Sequence, residues 1–311
     1  MYYKFNFTTI TPLHISNGEV LDQNFHYTAY RGDIYKIDHL KFAQLIAKKE
    51  KLDFSQEITT SIIESWIKKH QLTIIDDASS YSVKIHESFK AHLENSRAVG
   101  RRQVIEFINS NGKFYIPASS VKGSILTTLG IDSLGINPSD PNINDKIVFN
   151  DSVQLESDRF SVYRTENRPP ENSLICLDPG ENFYLTMRKK GVFDKDVFMK
   201  KLKSYTEVQL ENLNREVAKF KSKRTGKLRQ ADLYLRAIEK INTLSAKNEP
   251  LINIGYGGGS WFKIKEGKVP KFKSKLPNKK HVEEPAHSSF SFTIDRELAH
   301  IGWCKMEIEK L

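Results

Sequence analysis

The segment Tyr115-Ile116-Pro117-Ala118-Ser119-Ser120-Val121-Lys122-Gly123 marks a change from strand to helix in the first half of this 311-residue chain. Pro117 ends the apolar strand pattern that precedes it, because proline cannot donate a hydrogen bond to a neighbouring strand. Ser119 or Ser120 is well suited to cap a helix, which we expect to run to about Leu129. A strand, a sharp stop and a capped helix together predict a sheet that carries helices.

Short stretches on both sides of this segment alternate apolar and polar residues with the period of two that is typical of strands. These stretches are 3–9, 30–37, 104–108, 113–116, 182–188, 290–294 and 303–308. Helical spacing follows Asp38, a favourable N-cap, and recurs over 56–70, 194–220 and about 230–245. The mixture predicts α/β or α+β packing, with a small sheet and helices in each half. A stretch rich in Pro, Asn and Asp at 135–145 predicts a boundary between domains 1–140 and 141–311.

The composition excludes several classes of protein. No apolar run approaches the ~20 residues that a membrane-spanning helix needs. The first residues alternate like a strand and do not resemble a signal peptide. Two cysteines, Cys176 and Cys304, cannot build a disulfide framework or a four-thiolate metal site. We therefore expect a soluble, cytoplasmic protein without a membrane partner.

The positive charge of the chain is concentrated in one segment. The whole sequence carries 48 basic and 38 acidic residues, but 17 of the basic and only 4 of the acidic ones lie in Lys219–Lys280. A basic segment on a nearly neutral body is typical of a surface that binds a polyanion. The alternative, a lysine-rich face that is simply solvated, stays open from charge alone.

The segment Ile254–Lys263 is the strongest local signal within this basic region. Four of its residues, Gly255 and Gly257–Gly259, are glycines, whose uncovered backbone can approach a phosphate chain closely. The neighbouring rings of Tyr256 and Trp261 could stack on nucleobases. The segment lacks the Gly-Lys-Ser/Thr ending of a nucleotide-binding P-loop and the third glycine of a dinucleotide fingerprint. A flexible hairpin with buried aromatic residues is the alternative.

Two further features could serve a phosphate backbone. The expected helix start at Ser119 offers free N–H groups, the positive end of the helix dipole and Lys122, although an ordinary capped helix explains it equally.

His14 lies in a turn after the first strand and, with Tyr27 and Lys36, would suit metal-independent RNA cleavage. A histidine that hydrogen-bonds a turn is the alternative. The histidines lack metal-ligand spacing, so we expect no metal and no cofactor.

Three of these segments together resemble the RAMP superfamily of CRISPR type III effector proteins. Thr11–Gly18 resembles the turn that follows the first strand in that family. Tyr115–Gly123 resembles the family motif Ile-Pro-Gly-Ser-Ser-x-Lys-Gly at the start of a helix, and Ile254–Lys263 resembles the family's glycine-rich loop. Within the superfamily, the chain is most similar to the cap subunits of the type III-A (Csm) complex, on the 3′-end side of the guide RNA.

The resemblance implies two ferredoxin-like (RRM-type) domains of α+β class, with helical insertions and a C-terminal glycine-rich loop. It also implies a non-catalytic subunit that binds CRISPR guide RNA, aids its maturation and contacts other Csm subunits, especially the repeated backbone subunit; host nucleases are further candidate partners. The candidate RNA-binding residues are His14, Ser16, Arg101, Arg102, Ser119, Ser120, Lys122, Gly123, Gly255, Gly257, Gly258, Gly259, Trp261 and Lys263.

Three other functions stay open at this point. A RAMP-type endoribonuclease would process guide precursors with His14 as general base. A backbone subunit would cut target RNA with an aspartate after its first strand, for which Asp22 and Asp33 are candidates. A purely structural subunit would turn its lysines towards acidic protein.

Overall fold

The computed structural model describes residues 1–50, 57–95, 102–129, 134, 146–166, 172–222, 238–258, 271–273, 283–285, 292–293 and 300–311. The strands of the first half are β1 (Tyr2–Thr9), β2 (Ser16–Leu21), β3 (Tyr27–Tyr30), β4 (Asp33–Ile37), β5 (Ser79–Ile85), β6 (Val104–Phe107), β7 (Asn109–Ser110) and β8 (Lys113–Phe114). Those of the second half are β9 (Ile147–Phe149), β10 (Phe160–Glu166), β11 (Asn172–Leu177), β12 (Asn182–Lys189), β13 (Leu251–Asn253), β14 (Lys271–Lys273), β15 (Glu283–Pro285), β16 (Phe292–Thr293) and β17 (Trp303–Lys310). The helices are α1 (His39–Lys49), α2 (Thr60–Lys69), α3 (Gln71–Asp77), α4 (Glu87–Asn95), α5 (Ala118–Leu129) and α6 (Lys195–Ser222), and 238–246 are also helical.

A five-stranded sheet with the order β13–β17–β1–β12–β9 forms one layer. β1 lies between β12 and β17 and is antiparallel to both. Alternate residues of β1 point to one face, and Tyr3, Phe5 and Phe7 are buried there. The ring of Tyr3 packs against Phe193 and that of Phe5 against Phe198 of α6, so α6 covers part of this face of the sheet.

The second layer is an eight-stranded sheet with the order β2–β6–β11–β10–β5–β4–β3, and β16 adds a further pairing with β10. The contacts β5–β10 and β6–β11 are parallel, whereas the other pairings are antiparallel. Helices α1–α3 are inserted between β4 and β5 and have a small core of their own, with Ile37, Phe42, Ile46, Ile67, Ile74 and Ala78. The Asp38 side chain caps α1, as the sequence predicts.

The structure confirms an α+β fold with helical insertions, as expected for ferredoxin-like domains. The arrangement of the strands differs from the expectation of a separate small sheet in each half, because each sheet contains strands from both halves of the chain. β1 joins β12 and β17, while β5 and β6 of the first half join β10 and β11 of the second. The predicted boundary between 1–140 and 141–311 lies outside the described residues and stays a prediction.

One large apolar cluster connects the two sheets. It includes Phe5 and Phe7 of the five-stranded sheet together with Phe107 and Phe160 of the eight-stranded sheet. Leu13 forms an isolated bridge with Leu177, so the segment after β1 crosses directly from one sheet to the other. Among the described residues, no helix is both long and apolar enough to cross a membrane.

Candidate nucleic-acid interface

Three segments that are far apart in the sequence meet where the chain leaves β1. The N–H of Tyr256 donates to the carbonyl of His14 at 2.9 Å, and the N–H of Gly302 donates to the carbonyl of Pro12 at 2.8 Å. Helix α5 contacts the 3₁₀ turn Gly255–Gly258. The turn after β1, helix α5 and the first half of the glycine-rich segment therefore form one site.

His14 lies at the centre of this site and is completely buried. Its Nδ1 lies 2.7 Å from the carbonyl oxygen of Ile175, which can only accept, so this nitrogen carries the hydrogen. Burial lowers the pKa of His14 to about 4, and the side chain is therefore neutral near pH 7. Among the described residues, Nε2 has no hydrogen-bond partner. A direct contact between this imidazole and RNA would require the residues around it to move.

The segment that follows His14 is an irregular, exposed part of β2. The pairing with β6 shifts register between Ser16 and Val20, and Ser16 Oγ accepts a hydrogen bond from the N–H of Gly18 at 2.8 Å. The Asn17 side chain donates to a carboxylate oxygen of Glu106 at 2.7 Å. The bulge therefore presents Ser16 to solvent from a fixed position.

Glu106 is a buried acid that sequence reasoning missed. Its side chain accepts a hydrogen bond from the hydroxyl of Tyr81 at 2.5 Å, and Lys36 Nζ lies 3.6 Å away. Together with Asn17, these partners come from three strands other than β6. The sequence does not reveal that Glu106 is buried and bonded to other strands, because the residues that contact it are distant in sequence.

The start of α5 presents small polar residues to solvent. Ser119 and Gly123 are exposed, and Ser120 and Lys122 are half-buried. A Cβ atom added at Gly123 would meet no other atom within 4 Å, so a partner could approach the helix backbone there.

The cap of α5 differs from the prediction that Ser119 or Ser120 would provide it. Both serines lie inside the first turn of the helix, which begins at Ala118. The N–H of Ala118 instead donates to the carboxylate of Asp151 at 2.7 Å. A carboxylate thus already occupies part of the positive helix end where a phosphate was expected.

Gly255 fixes the glycine turn against His14. Its φ of +80° is strained for other residues, and an added Cβ would lie 2.3 Å from the carbonyl oxygen of His14. Gly257 and Gly258 complete the same turn. The other candidates of the segment, Gly259, Trp261 and Lys263, lie outside the described residues, as does Arg101.

Arg102 is engaged in contacts with its own chain. Its guanidinium donates to the side chain of Gln23 at 3.0 Å, and its carbonyl accepts from the hydroxyl of Tyr27 at 2.6 Å. Burial raises the pKa of Tyr27, so this hydroxyl stays protonated. His14, Tyr27 and Lys36 are the residues considered together for RNA cleavage. The Tyr27 hydroxyl donates to a backbone carbonyl, and the Lys36 ammonium lies beside the Glu106 carboxylate.

The two aspartates considered for target cleavage lie at strand ends of the eight-stranded sheet, Asp22 just after β2 and Asp33 at the start of β4. Asp22 accepts a hydrogen bond from the side chain of Gln103 at 2.8 Å and lies 3.4 Å from His26. Asp33 begins β4, just after the turn that follows β3. Within the described ranges, no three His, Cys, Asp or Glu residues are grouped closely enough to hold a metal ion.

The open face of the five-stranded sheet is a second polar surface. It contains a shallow depression of about 440 Å³ between β1, β12 and β17. Lys4 Nζ lies 4.4 Å from the centre of the Tyr184 ring, and Lys305 pairs with Glu249 at 2.9 Å. Acids and bases on this face largely neutralise each other, so it is less suited to a polyanion than the site around His14.

The α+β fold and the three converging segments define a class of protein. This chain belongs to the RAMP superfamily, whose family model matches residues 6–263. The match includes all three segments from which the site is built.

The chain also has a fold similar to that of chains in solved Csm structures. One is a chain in the cryo-EM structure of a Csm–crRNA–target RNA ternary complex of a type III-A CRISPR-Cas system, with a TM-score of 0.63 and 14% identity over 98% of this chain and 100% of that one. Another is the crystal structure of T. onnurineus Csm5, with a TM-score of 0.52 and 16% identity over 82% of this chain and 90% of that one. No curated protein matches the sequence. At these identities the likeness shows a shared fold.

Proposed function

We propose that this protein is a non-catalytic CRISPR RNA-binding subunit of a type III-A interference complex. It would cap the complex on the 3′-end side of the guide, aid guide maturation and assembly, and so serve antiviral defence. Its partners would be the guide RNA, the repeated backbone subunit, other Csm subunits and host nucleases. The proposal goes beyond membership of the RAMP superfamily. Two solved structures with a similar fold support it, one a chain of a Csm–crRNA complex and the other Csm5.

The observation that carries the proposal is the meeting of the three RAMP-like segments around His14. The exposed helix surface at Ser119 and Gly123 and the turn at Gly255–Gly258 belong to contacting elements. Small side chains and glycines let a sugar–phosphate chain approach closely, and the lysines of this basic chain supply favourable charge. Such a surface binds single-stranded RNA through its backbone without needing to cut it.

The environment of His14 supports a binding role over the endoribonuclease alternative. A general base must reach the 2′-hydroxyl proton and should have a pKa near the working pH. His14 is completely buried, and burial lowers its pKa to about 4. Both properties are unfavourable for a base and suit a residue that holds the turn in place.

The proposal is tested by RNA binding and RNA integrity in one experiment. The full chain, assembled with its neighbouring Csm subunits, is titrated with labelled guide RNA at several salt concentrations, and the RNA is then run on a denaturing gel. We expect salt-sensitive binding, intact RNA, and a Lys122→Ala variant that binds more weakly with a salt slope lower by about 1.

Lys48→Ala is the matched control, because Lys48 is exposed in the last turn of α1, on the separate helical insertion. It should bind as the unmodified chain does. Complexes that bind no RNA at moderate salt contradict the proposal. Discrete products that vanish in His14→Ala, or in Asp33→Ala, would make the protein an enzyme.

A further inference from the structure

Tyr256 is an exposed aromatic residue at the point where the three segments meet. Of the Phe, Tyr and Trp side chains whose exposure the structure describes, the two most exposed are Tyr2, with 52% of its surface exposed, and Tyr256, with 37%. Tyr2 begins β1 and lies seven residues, roughly 23 Å of extended strand, from its other end. Tyr256 alone of the two is bonded to the turn that contains His14.

Contacts with His14 hold Tyr256 in position. Its N–H donates to the carbonyl of His14, and its ring meets the His14 ring edge to face, with centroids 5.5 Å apart and planes at 85°. Gly255, just before it, leaves no space for a Cβ atom against the His14 carbonyl. His14 is in turn bonded to Ile175 of β11. The ring is therefore placed before any ligand arrives, which reduces the entropy lost on binding.

We propose that the ring of Tyr256 stacks on one nucleobase of the bound single-stranded RNA. This inference rests on the proposed function and names a residue for it. A nucleobase of any sequence offers a π-face to an aromatic side chain, and such stacking is a main source of affinity for single strands. Helix α5 contacts the same turn and carries the exposed residues Ser119 and Gly123, which offer a surface to the adjoining sugar–phosphate chain. His14 is the positioning residue that supports the ring from inside the protein.

The test uses 2-aminopurine, a fluorescent base whose emission is quenched by stacking. Guide RNAs that carry it at single successive positions are bound to the full chain within the assembled complex. We expect one position at which the unmodified protein changes the emission. Tyr256→Leu should abolish that change and weaken binding about 5- to 150-fold, whereas Tyr256→Phe, which keeps the ring, should preserve both.

Two further variants separate stacking from simple loss of structure. Tyr2→Leu removes the other exposed ring and should alter neither the emission nor the affinity. His14→Ala should lose the emission change, and His14→Asn, whose amide can still donate to Ile175, should restore most of it. Circular dichroism of each variant reports whether the chain is folded.

The outcomes distinguish this inference from the proposed function. If the complex binds RNA and folded Tyr256→Leu keeps the emission change and the affinity, the inference is wrong and the proposed function stands. If the unmodified complex binds no guide RNA, both are overturned. Loss of the emission change in Tyr2→Leu would mean that the base stacks on Tyr2 of β1, and it would also contradict the inference.

Discussion

Two histidines illustrate how strongly this fold selects a protonation state at single residues. His14 and His300 are both completely buried, and burial lowers their pKa values to about 4 and about 3. His300 Nδ1 accepts a hydrogen bond from the indole N–H of Trp303 at 3.0 Å, so both rings are bonded to the chain in their neutral form. Protonating either ring would place a charge in the core, which is unfavourable.

This preference predicts that the free energy of unfolding falls in mild acid. The unfolded chain binds a proton at His14 near pH 6.5 and the folded chain only near pH 4, so stability is complete above pH 6.5 and is lost as the pH falls towards 4. For His14 alone we expect a loss of about 2 kcal/mol between pH 7.5 and pH 5. Urea denaturation at a series of pH values measures it.

The difference between the unmodified chain and His14→Asn isolates this residue from other titrating groups. Asp178 is one such group, because burial raises its pKa and gives its carboxyl the opposite dependence on pH. An equal loss of stability in both proteins between pH 7.5 and pH 5 would contradict the assignment to His14.

At the scale of elements, helix α5 depends on a residue from outside its own sequence. The N–H of Ala118 is capped by Asp151, which lies after β9, and Ile116 donates its N–H to Ser152 Oγ at 2.8 Å. Ser152 in turn donates its N–H to the carbonyl of Ile116 at 3.0 Å. The segment after β9 therefore fixes both the last strand residue before Pro117 and the start of the helix.

Substitutions of Asp151 test how the charge at this helix end affects RNA binding. Asp151→Ala removes the cap and should lower the free energy of unfolding by about 1 kcal/mol. Asp151→Asn keeps an acceptor for Ala118 and removes the negative charge, so it should cost less stability and bind guide RNA more tightly. Chemical denaturation and RNA titration at low salt measure the two effects. Weaker RNA binding by Asp151→Asn would show that no phosphate lies near this helix end.

Much of the local structure could be predicted from the sequence. Asn111 and Gly112, an Asn-Gly pair typical of tight turns, both have positive φ between β7 and β8, and α5 ends at Leu129 as the sequence predicts. These features depend on neighbouring residues. The burial of His14 and the cap at Asp151 could not be predicted, because the groups responsible are Ile175, Tyr256 and others more than 30 positions away.

For the whole molecule, the shared core predicts that the two sheets unfold together. Cys176 lies in β11 of the eight-stranded sheet and Cys304 in β17 of the five-stranded sheet, and both are completely buried. Burial raises the pKa of both thiols, so neither should react while the protein is folded.

Thiol labelling therefore reports on each sheet separately. We expect both cysteines to be labelled at one common rate as denaturant is added, since one apolar cluster spans the two sheets. Mass spectrometry of peptides that contain Cys176 or Cys304 gives the two rates. Labelling of one thiol well before the other would mean that the sheets open independently.

The central place of β1 has a consequence for how the protein is made. β1 leaves the ribosome before both strands that flank it, because β12 and β17 are encoded far downstream of it. At roughly 5–20 residues per second, β1 waits on the order of 15–60 s for β17. Throughout that time its apolar face and both of its edges have no native partner, which makes the nascent chain a natural client for chaperones that shield unpaired strands.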